Sequence, residues 1–312
     1  MDSTFEPVIK VVPLKSIEEK YLSRGSLIRL KIPELLQTAL KKVVRFPLYL
    51  WPNQIGVPIL GGPLKGKLLP KETAQHNLQM WFGRYEAVVV SELLFASGSV
   101  RIAYDIGAHV GYMTLVLAES VKKGGNVFAF EPVPDNHSLI EKLILLNGLN
   151  GKVCLLPLAF GDTEGSQRMV IRESSLMNQL QTTATDKIVK DYPKIITAVS
   201  TLDSFVLGKS NPAPDLIKID VEGAEGMVIA GGLQTLKRFS PRLLLEIHGP
   251  RNAGRTYELL EGLDYDWWRL RRAGSEKVLN KEHLLSFFSK YSWTHHFMVI
   301  REKEINEQNL FR

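Results

Sequence analysis

Asp105, Gly107 and Gly111 stand in the run V-R-I-A-Y-D-I-G-A-H-V-G-Y-M-T-L at 100–115, and Glu131 closes the apolar run N-V-F-A-F-E at 126–131. Residues 100–104 have strand character, and the chain is expected to turn at Asp105, Ile106 and Gly107. Gly107 and Gly111 carry no Cβ, so the backbone between them can approach a ligand closely. A G-x-G-x-x-G loop aims helix-terminal N–H groups at a pyrophosphate. Here the pattern is D-x-G-x-x-x-G, and an acid at 105 repels an anion. A cationic ligand suits it better. S-adenosylmethionine has no phosphate and carries a sulfonium and an ammonium. Glu131, at the tip of the next strand, is placed to accept hydrogen bonds from both hydroxyls of its ribose. His109 and Tyr112 in the loop, and Pro132 after the acid, are further candidate neighbours of that ligand. The plainer alternative makes both acids solvated caps of strand ends.

A second group of chemistry-bearing residues lies in D-L-I-K-I-D-V-E-G-A-E at 215–225. Asp220, Glu222 and Glu225 cluster at the carboxyl end of an apolar strand, and carboxylates this close need a cation: Lys218, the sulfonium, or a metal. A helix N-terminus enriched in acids accounts for Glu222 and Glu225 through the macrodipole, but not for Lys218 within an apolar run. The strand at 241–248 ends in Glu246 and His248. An alcohol is a poor nucleophile at neutral pH, so a base is expected within reach of it. His248 has the right intrinsic pKa, Asp220 or Glu222 could replace it, Lys218 is a further catalytic candidate, and a purely structural His248 is the alternative. Asp220 and Glu246 could instead hold Mg²⁺ with a substrate diol. Phe160 and Asp162, in the turn after the third strand, are candidates for the adenine edge. Trp81, Tyr85 and Glu86 border the same pocket or pack a lid helix. His295 and His296 read as strand-end residues rather than ligands.

These residues need a parallel sheet to bring them to one rim. Strands are expected at 100–104, 127–130, 153–159, 216–219, 241–248, 265–270 and 296–300, with helices between most of them. The helix after Gly111 is expected to close at the basic and glycine-rich 122–125, and another to start within 132–135 and run to 147–148. Residues 165–200 interrupt this rhythm with two strands, 167–172 and 195–200, and a polar loop between them that bears on substrate. Residues 33–44 have the pattern of a basic amphipathic helix, able to lie on an anionic membrane or to pack on its own domain. Residues 46–70 are rich in Pro and Gly and suggest a cap of short strands and turns. Residues 1–75 are thus a basic extension and cap, and 76–312 the main domain.

Composition narrows the class. The hydrophobic share of 45% and charged share of 23% are those of a globular protein. Residues 1–70 hold 11 Lys and Arg against 5 acids, so the net charge of +6 resides there and the other 242 residues are neutral. That argues against a core that binds nucleic acid. The single Cys154 excludes an intramolecular disulfide and reads as a small core hydrophobe. No run is long and apolar enough for a spanning helix, and no signal pattern opens the chain; a cytoplasmic location is expected. The sequence is silent on oligomeric state.

Together the motifs resemble the FkbM-type family of class I S-adenosylmethionine-dependent methyltransferases. The matches are D-I-G-A-H-V-G-Y-M-T-L at 105–115, F-E-P-V-P at 130–134, L-N-G-L at 146–149, T-L-D at 201–203, I-K-I-D-V-E-G-A-E at 217–225 and L-L-E-I-H at 244–248. One departure is Leu143, where the family often has Asn. The resemblance implies a Rossmann-like α/β fold, a seven-stranded sheet of order 3-2-1-4-5-7-6 with only the last strand antiparallel. It implies methyl transfer to a hydroxyl of a small-molecule or glycan acceptor, a sugar or a polyketide-like metabolite. Asp105, Gly107, Glu131 and Asp220 would be donor-site residues. The rivals are a nucleotide-binding oxidoreductase, disfavoured by Asp105 and the missing G-x-G-x-x-G, and a non-catalytic adaptor using the basic N-terminal helix.

Overall fold

The computed structural model describes residues 45–95, 99–170, 179–180, 193–272, 274–288 and 294–301. The helix expected at 33–44, nearly all of the polar stretch between 171 and 192, and the tail after 301 lie outside the described residues. The chain forms two units, Met1–Leu50 and Trp51–Arg312. In the first, residues 45–50 are helical, against the strands and turns that the Pro- and Gly-rich composition from 46 suggests. The site belongs to the second.

The Pro and Gly of the cap limit it to short elements, β1 (Val57–Pro58) paired with β2 (Leu68–Leu69). Helices α1 (Lys71–His76), α2 (Leu78–Trp81) and α3 (Ala87–Phe95) follow. Alternation then sets in with β3 (Ile102–Ile106), α4 (Tyr112–Ser120), β4 (Asn126–Phe130), α5 (Pro134–Leu146) and β5 (Val153–Leu156). The interruption contributes β6 (Ala159–Phe160), β7 (Gly165–Val170), β8 (Gln179–Leu180) and β9 (Lys194–Ser200), which form a separate sheet of order β6-β9-β7-β8. A π-helical turn at Ser204–Gly208 leads to β10 (Leu216–Ile219), α6 (Glu225–Ala230), α7 (Leu233–Phe239) and β11 (Arg242–His248). The described residues close with α8 (Pro250–Glu261), β12 (Tyr265–Arg269), β13 (Glu276–Lys277), α9 (Lys281–Ser286) and β14 (Thr294–Arg301).

The central sheet has the order β13-β12-β14-β11-β10-β3-β4-β5. β3, β4, β5, β10 and β11 are mutually parallel, and β14 runs antiparallel to both β11 and β12. The two-residue β13 is an eighth strand beyond the seven expected, an edge addition antiparallel to β12. Its E-K sequence carries no apolar alternation by which it could be seen. Beneath the rim, Phe130 packs edge-on against Phe160 and Phe205, with ring centroids at 4.7 and 5.2 Å. This aromatic layer fixes the ends of β4 and β6 below the site.

Three expectations are corrected. Asp105 and Ile106 belong to β3 rather than to a turn, because the register sets Lys218 of β10 directly beside Asp105 and lets the acid remain inside the sheet. The expected strand at 153–159 is two strands, broken at Pro157, which has no N–H to give the ladder. Cys154 is exposed rather than buried, since β5 is the edge of the central sheet.

Candidate functional site

A cavity of about 580 Å³ opens where β3, β4, β10 and β11 end. Gly107, His109, Tyr112, Glu131, Pro132 and Phe160 form one side of its lining, and Glu86, Lys218, Asp220, Glu222, Glu246 and His248 the other. Sheet topology alone therefore unites motifs that are far apart in the chain.

The glycine-bracketed loop is shaped by close approach. Gly107 has φ +79°, and a Cβ there would fall 1.9 Å from the Asp220 carbonyl oxygen. Gly107→Ala is accordingly expected to pry β3 from β10 at the cavity floor, abolishing ligand binding and lowering the thermal midpoint, as calorimetric titration and a melting scan would show. The loop returns the His109 N–H to Glu131 Oε2 at 2.7 Å. Glu131 Oε1 accepts from the Val133 N–H at 2.9 Å and from Asn136 Nδ2 at 3.3 Å. Burial pushes the Glu131 carboxyl up to about 7, although these three hydrogen bonds pull it down. Oε2, with one donor, keeps lone-pair capacity for a hydroxyl of a bound nucleoside.

Asp105 does not line the cavity. It is fully buried, accepting from Thr114 Oγ1 at 2.6 Å through Oδ2, with Lys218 Nζ 3.3 Å from Oδ1. Its charge is neutralised behind the wall and repels nothing, so it cannot have decided against a phosphate ligand. Lys218 is equally committed: Nζ donates to Gly107 O at 2.9 Å and lies 3.5 Å from Asp220 Oδ2. One hydrogen bond and two ion pairs surround Nζ, whose side chain is 7% exposed. Burial would lower the Lys218 pKa, but the charges of Asp105 and Asp220 hold it above the ordinary value. Lys218 is a positioning residue, not the catalytic one expected. Gly111 lies outside the cavity lining as well. So does Asp162, whose carboxylate pairs with Arg255 at 3.3 Å.

The opposite rim is a network of acids around two histidines. His248 Nδ1 lies 2.9 Å from Glu225 Oε1, and Nε2 lies 3.3 Å from Glu222 Oε2 and 3.7 Å from Glu246 Oε1. Burial would lower the imidazole pKa, but the hydrogen bond to Glu225 and the charges of Glu225, Glu222 and Asp220 raise it to about 9. Burial, with repulsion from Asp220, Glu246 and Glu225, lifts Glu222 to about 8 against the pull of His248. Asp220 is held low: burial opposes ionisation, but Lys218 and His248 favour it more. At His296, Nε2 lies 3.1 Å from Glu246 Oε2 and 3.5 Å from Glu86 Oε2. His296 thus ties the segment before α3 to the end of β11.

The sequence placed Glu225 in the acid cluster without a site role, missed Asn252 and set His296 aside. A signal for Glu225 was present: it is the third acid of a cluster that one lysine cannot neutralise. Nothing local marks Asn252 or His296. His295 does behave as a strand-end residue, with its Nε2 2.7 Å from Phe287 O. Trp81 packs on Phe82, with ring centroids at 5.1 Å, and is not part of the lining; Tyr85 and Glu86 are.

Ligand atoms of Asp220, Glu246 and His248 lie within 4.8 Å of one another, as do those of Glu86, Glu246 and His296. Each set pairs two carboxylates with an imidazole, whereas Mg²⁺ takes oxygen ligands. S-adenosylmethionine fits better. The lining carries Glu86, Glu131, Asp220, Glu222 and Glu246 against Lys218 and His248, an acidic surround for a sulfonium and an ammonium.

Residues 105–276 match the Methyltransferase FkbM domain. Hexuronic acid methyltransferase AglP of Haloferax volcanii is 26% identical over 165 residues, 53% of this chain and 63% of that protein. The chain thus spans less than two thirds of that relative. The solved Methyltransferase FkbM from Methylobacillus flagellatus KT aligns with a TM-score of 0.41 at 15% identity, covering 83% of this chain and 60% of that one. The O-methyltransferase from Bacillus cereus in complex with SAH aligns at 0.41 and 14% identity, covering 70% and 80%. The domain match takes in more than half of the sequence, and the chain belongs to the FkbM methyltransferase domain family.

Proposed function

We propose that this chain transfers a methyl group from S-adenosylmethionine to a hydroxyl oxygen, the acceptor being a sugar, a glycan or a polyketide-like metabolite. When bound, S-adenosylmethionine supplies a methyl group on a positively charged sulfur. Gly107 and His109 bring the backbone against it, and Glu131 accepts from its hydroxyls. Asp220, kept ionised by Lys218, faces the positive end. Holding the two reactants at near-attack distance contributes most of the rate. The His248–Glu222 pair receives the proton of the acceptor hydroxyl. The observation that carries this reading is a single cavity lined both by the Gly107–Glu131 crib and by an imidazole held between carboxylates.

The name of the Haloferax relative assigns it a hexuronic acid, which supports a sugar acceptor. In the deprotonated state that transfer needs, Asp220, Glu222 and Glu246 outnumber His248, which favours a neutral sugar over one bearing a carboxylate near the reacting hydroxyl, because like charges in a half-buried site repel strongly. Calorimetric titration is expected to show binding of S-adenosylmethionine and none of NAD; the reverse would replace methyl transfer with an oxidoreductase. Turnover on a panel of neutral hexosides is then expected to exceed that on the matching uronic acids by about tenfold, and to survive thorough chelation. Faster transfer to the uronic acids would overturn the charge argument while leaving methyl transfer intact.

A further inference from the structure

Glu225 has no exposed surface, and all its polar contacts serve one arrangement. Its Oε1 accepts from the Gly223 N–H at 3.0 Å and faces His248 Nδ1 at 2.9 Å, while Oε2 accepts from Asn252 Nδ2. Asn252 is pinned in turn, its Oδ1 accepting from the Gly226 N–H at 3.0 Å. The acid stands at the start of α6, the histidine at the end of β11 and the amide in the first turn of α8. Enclosing a carboxylate this fully is costly unless it is paired and hydrogen-bonded. Here the pairing group is the ring that faces the cavity. A helix-dipole role would require none of these partners.

We propose that Glu225 is a positioning residue: it holds the Nδ1–H of His248, so that Nε2 is directed to the cavity between Glu222 and Glu246, and Asn252 holds Glu225. The acceptor hydroxyl then meets one defined nitrogen rather than a ring free to turn over. The catalytic part of this inference rests on the methyl-transfer reading; the pairing itself does not. Glutamine at 225 would keep the volume but turn an NH₂ toward either Asn252 Nδ2 or the Gly223 N–H, a donor facing a donor.

Imidazole ¹⁵N–¹H spectra of the full-length chain test the pairing, with the His248 signals identified by their loss in His248→Ala. Four acids face this ring or bias its charge: Glu225 and Glu222 from the segment entering α6, Glu246 on its own strand, and Asp220 at the end of β10. The parent is expected to show a slowly exchanging Nδ1–H that vanishes in Glu225→Gln, with the His248 titration midpoint falling by about one unit or more. Asn252→Ala, a half-buried change that Glu225→Gln folding problems would not touch, is expected to keep that proton but speed its exchange with water. With a neutral hexoside and S-adenosylmethionine, Glu225→Gln is expected to lose about a hundredfold or more in kcat with KM for S-adenosylmethionine unchanged. A midpoint and an Nδ1–H signal that survive Glu225→Gln would overturn the proposal, as would variants that lower only the unfolding midpoint. If the chain binds no S-adenosylmethionine, the methyl-transfer reading falls and the spectra still judge the pairing.

Discussion

Replacing Lys218 by Met is expected to destabilise the fold by about 3–5 kcal/mol, the usual consequence of leaving a buried charge without its partner. The charge left behind is Asp105, which has no exposed surface and lies 3.3 Å from Lys218 Nζ across the β3–β10 pairing. Thr114 remains as one donor, at 2.6 Å, and a single hydroxyl does not replace an ammonium in a site closed to water. The methionine stem fills most of the lysine volume, which keeps a cavity term small. Urea unfolding at pH 7, followed by far-ultraviolet circular dichroism, measures the loss as a lower midpoint. The double variant Asp105→Asn with Lys218→Met removes both charges and is expected to recover most of it. A single Lys218→Met variant as stable as the parent would show that Thr114 alone holds Asp105.

The same pair shows how far the sequence could be read. The apolar runs that became β3, β4, β10 and β11 were legible because parallel strands buried on both faces are nearly continuous in hydrophobicity. The acids at their ends were legible because strand tips in such sheets face the ligand. Lys218 was visible as an anomaly, a cation in an apolar strand, but its partner follows from the β3–β10 register, which no local pattern encodes. Without that register Asp105 read as a loop residue facing a ligand. Glu225 shows the opposite error. The helix macrodipole offered a sufficient local reason for an acid at 225, and its long-range partners His248 and Asn252 belong to later motifs. Asp162 failed in a third way: the turn was found, but Arg255 drew its carboxylate outward.

Removing the ring of His248 is expected to lower kcat by about 10²–10⁴-fold, the range for loss of a positioned acid–base group, while the affinity for S-adenosylmethionine stays unchanged. His248 reaches no group of the Gly107–Glu131 crib, so donor binding has no reason to fall. The rate of the parent is expected to rise with pH. The base must be unprotonated, and its proton is held by neighbours that keep His248 up to about 9 and Glu222 up to about 8. A bound sulfonium disfavours further positive charge, so the activating limb should lie at or below these values. Stability is expected to move the other way. A group whose folded pKa is raised stabilises the fold fully below its unfolded value and loses that contribution as pH rises through the folded one. For His248 the loss runs from about 6.5, the ordinary imidazole value, to about 9. For Glu222 it runs from its reference 4.5 to about 8. Between neutrality and pH 9 the chain should therefore gain turnover and lose thermal midpoint together, and His248→Ala should flatten both curves on the alkaline side. A His248→Ala enzyme with parental turnover and an unshifted pH profile would assign the base to Glu222 alone, leaving His248 as the cation that allows so many carboxylates to share one rim.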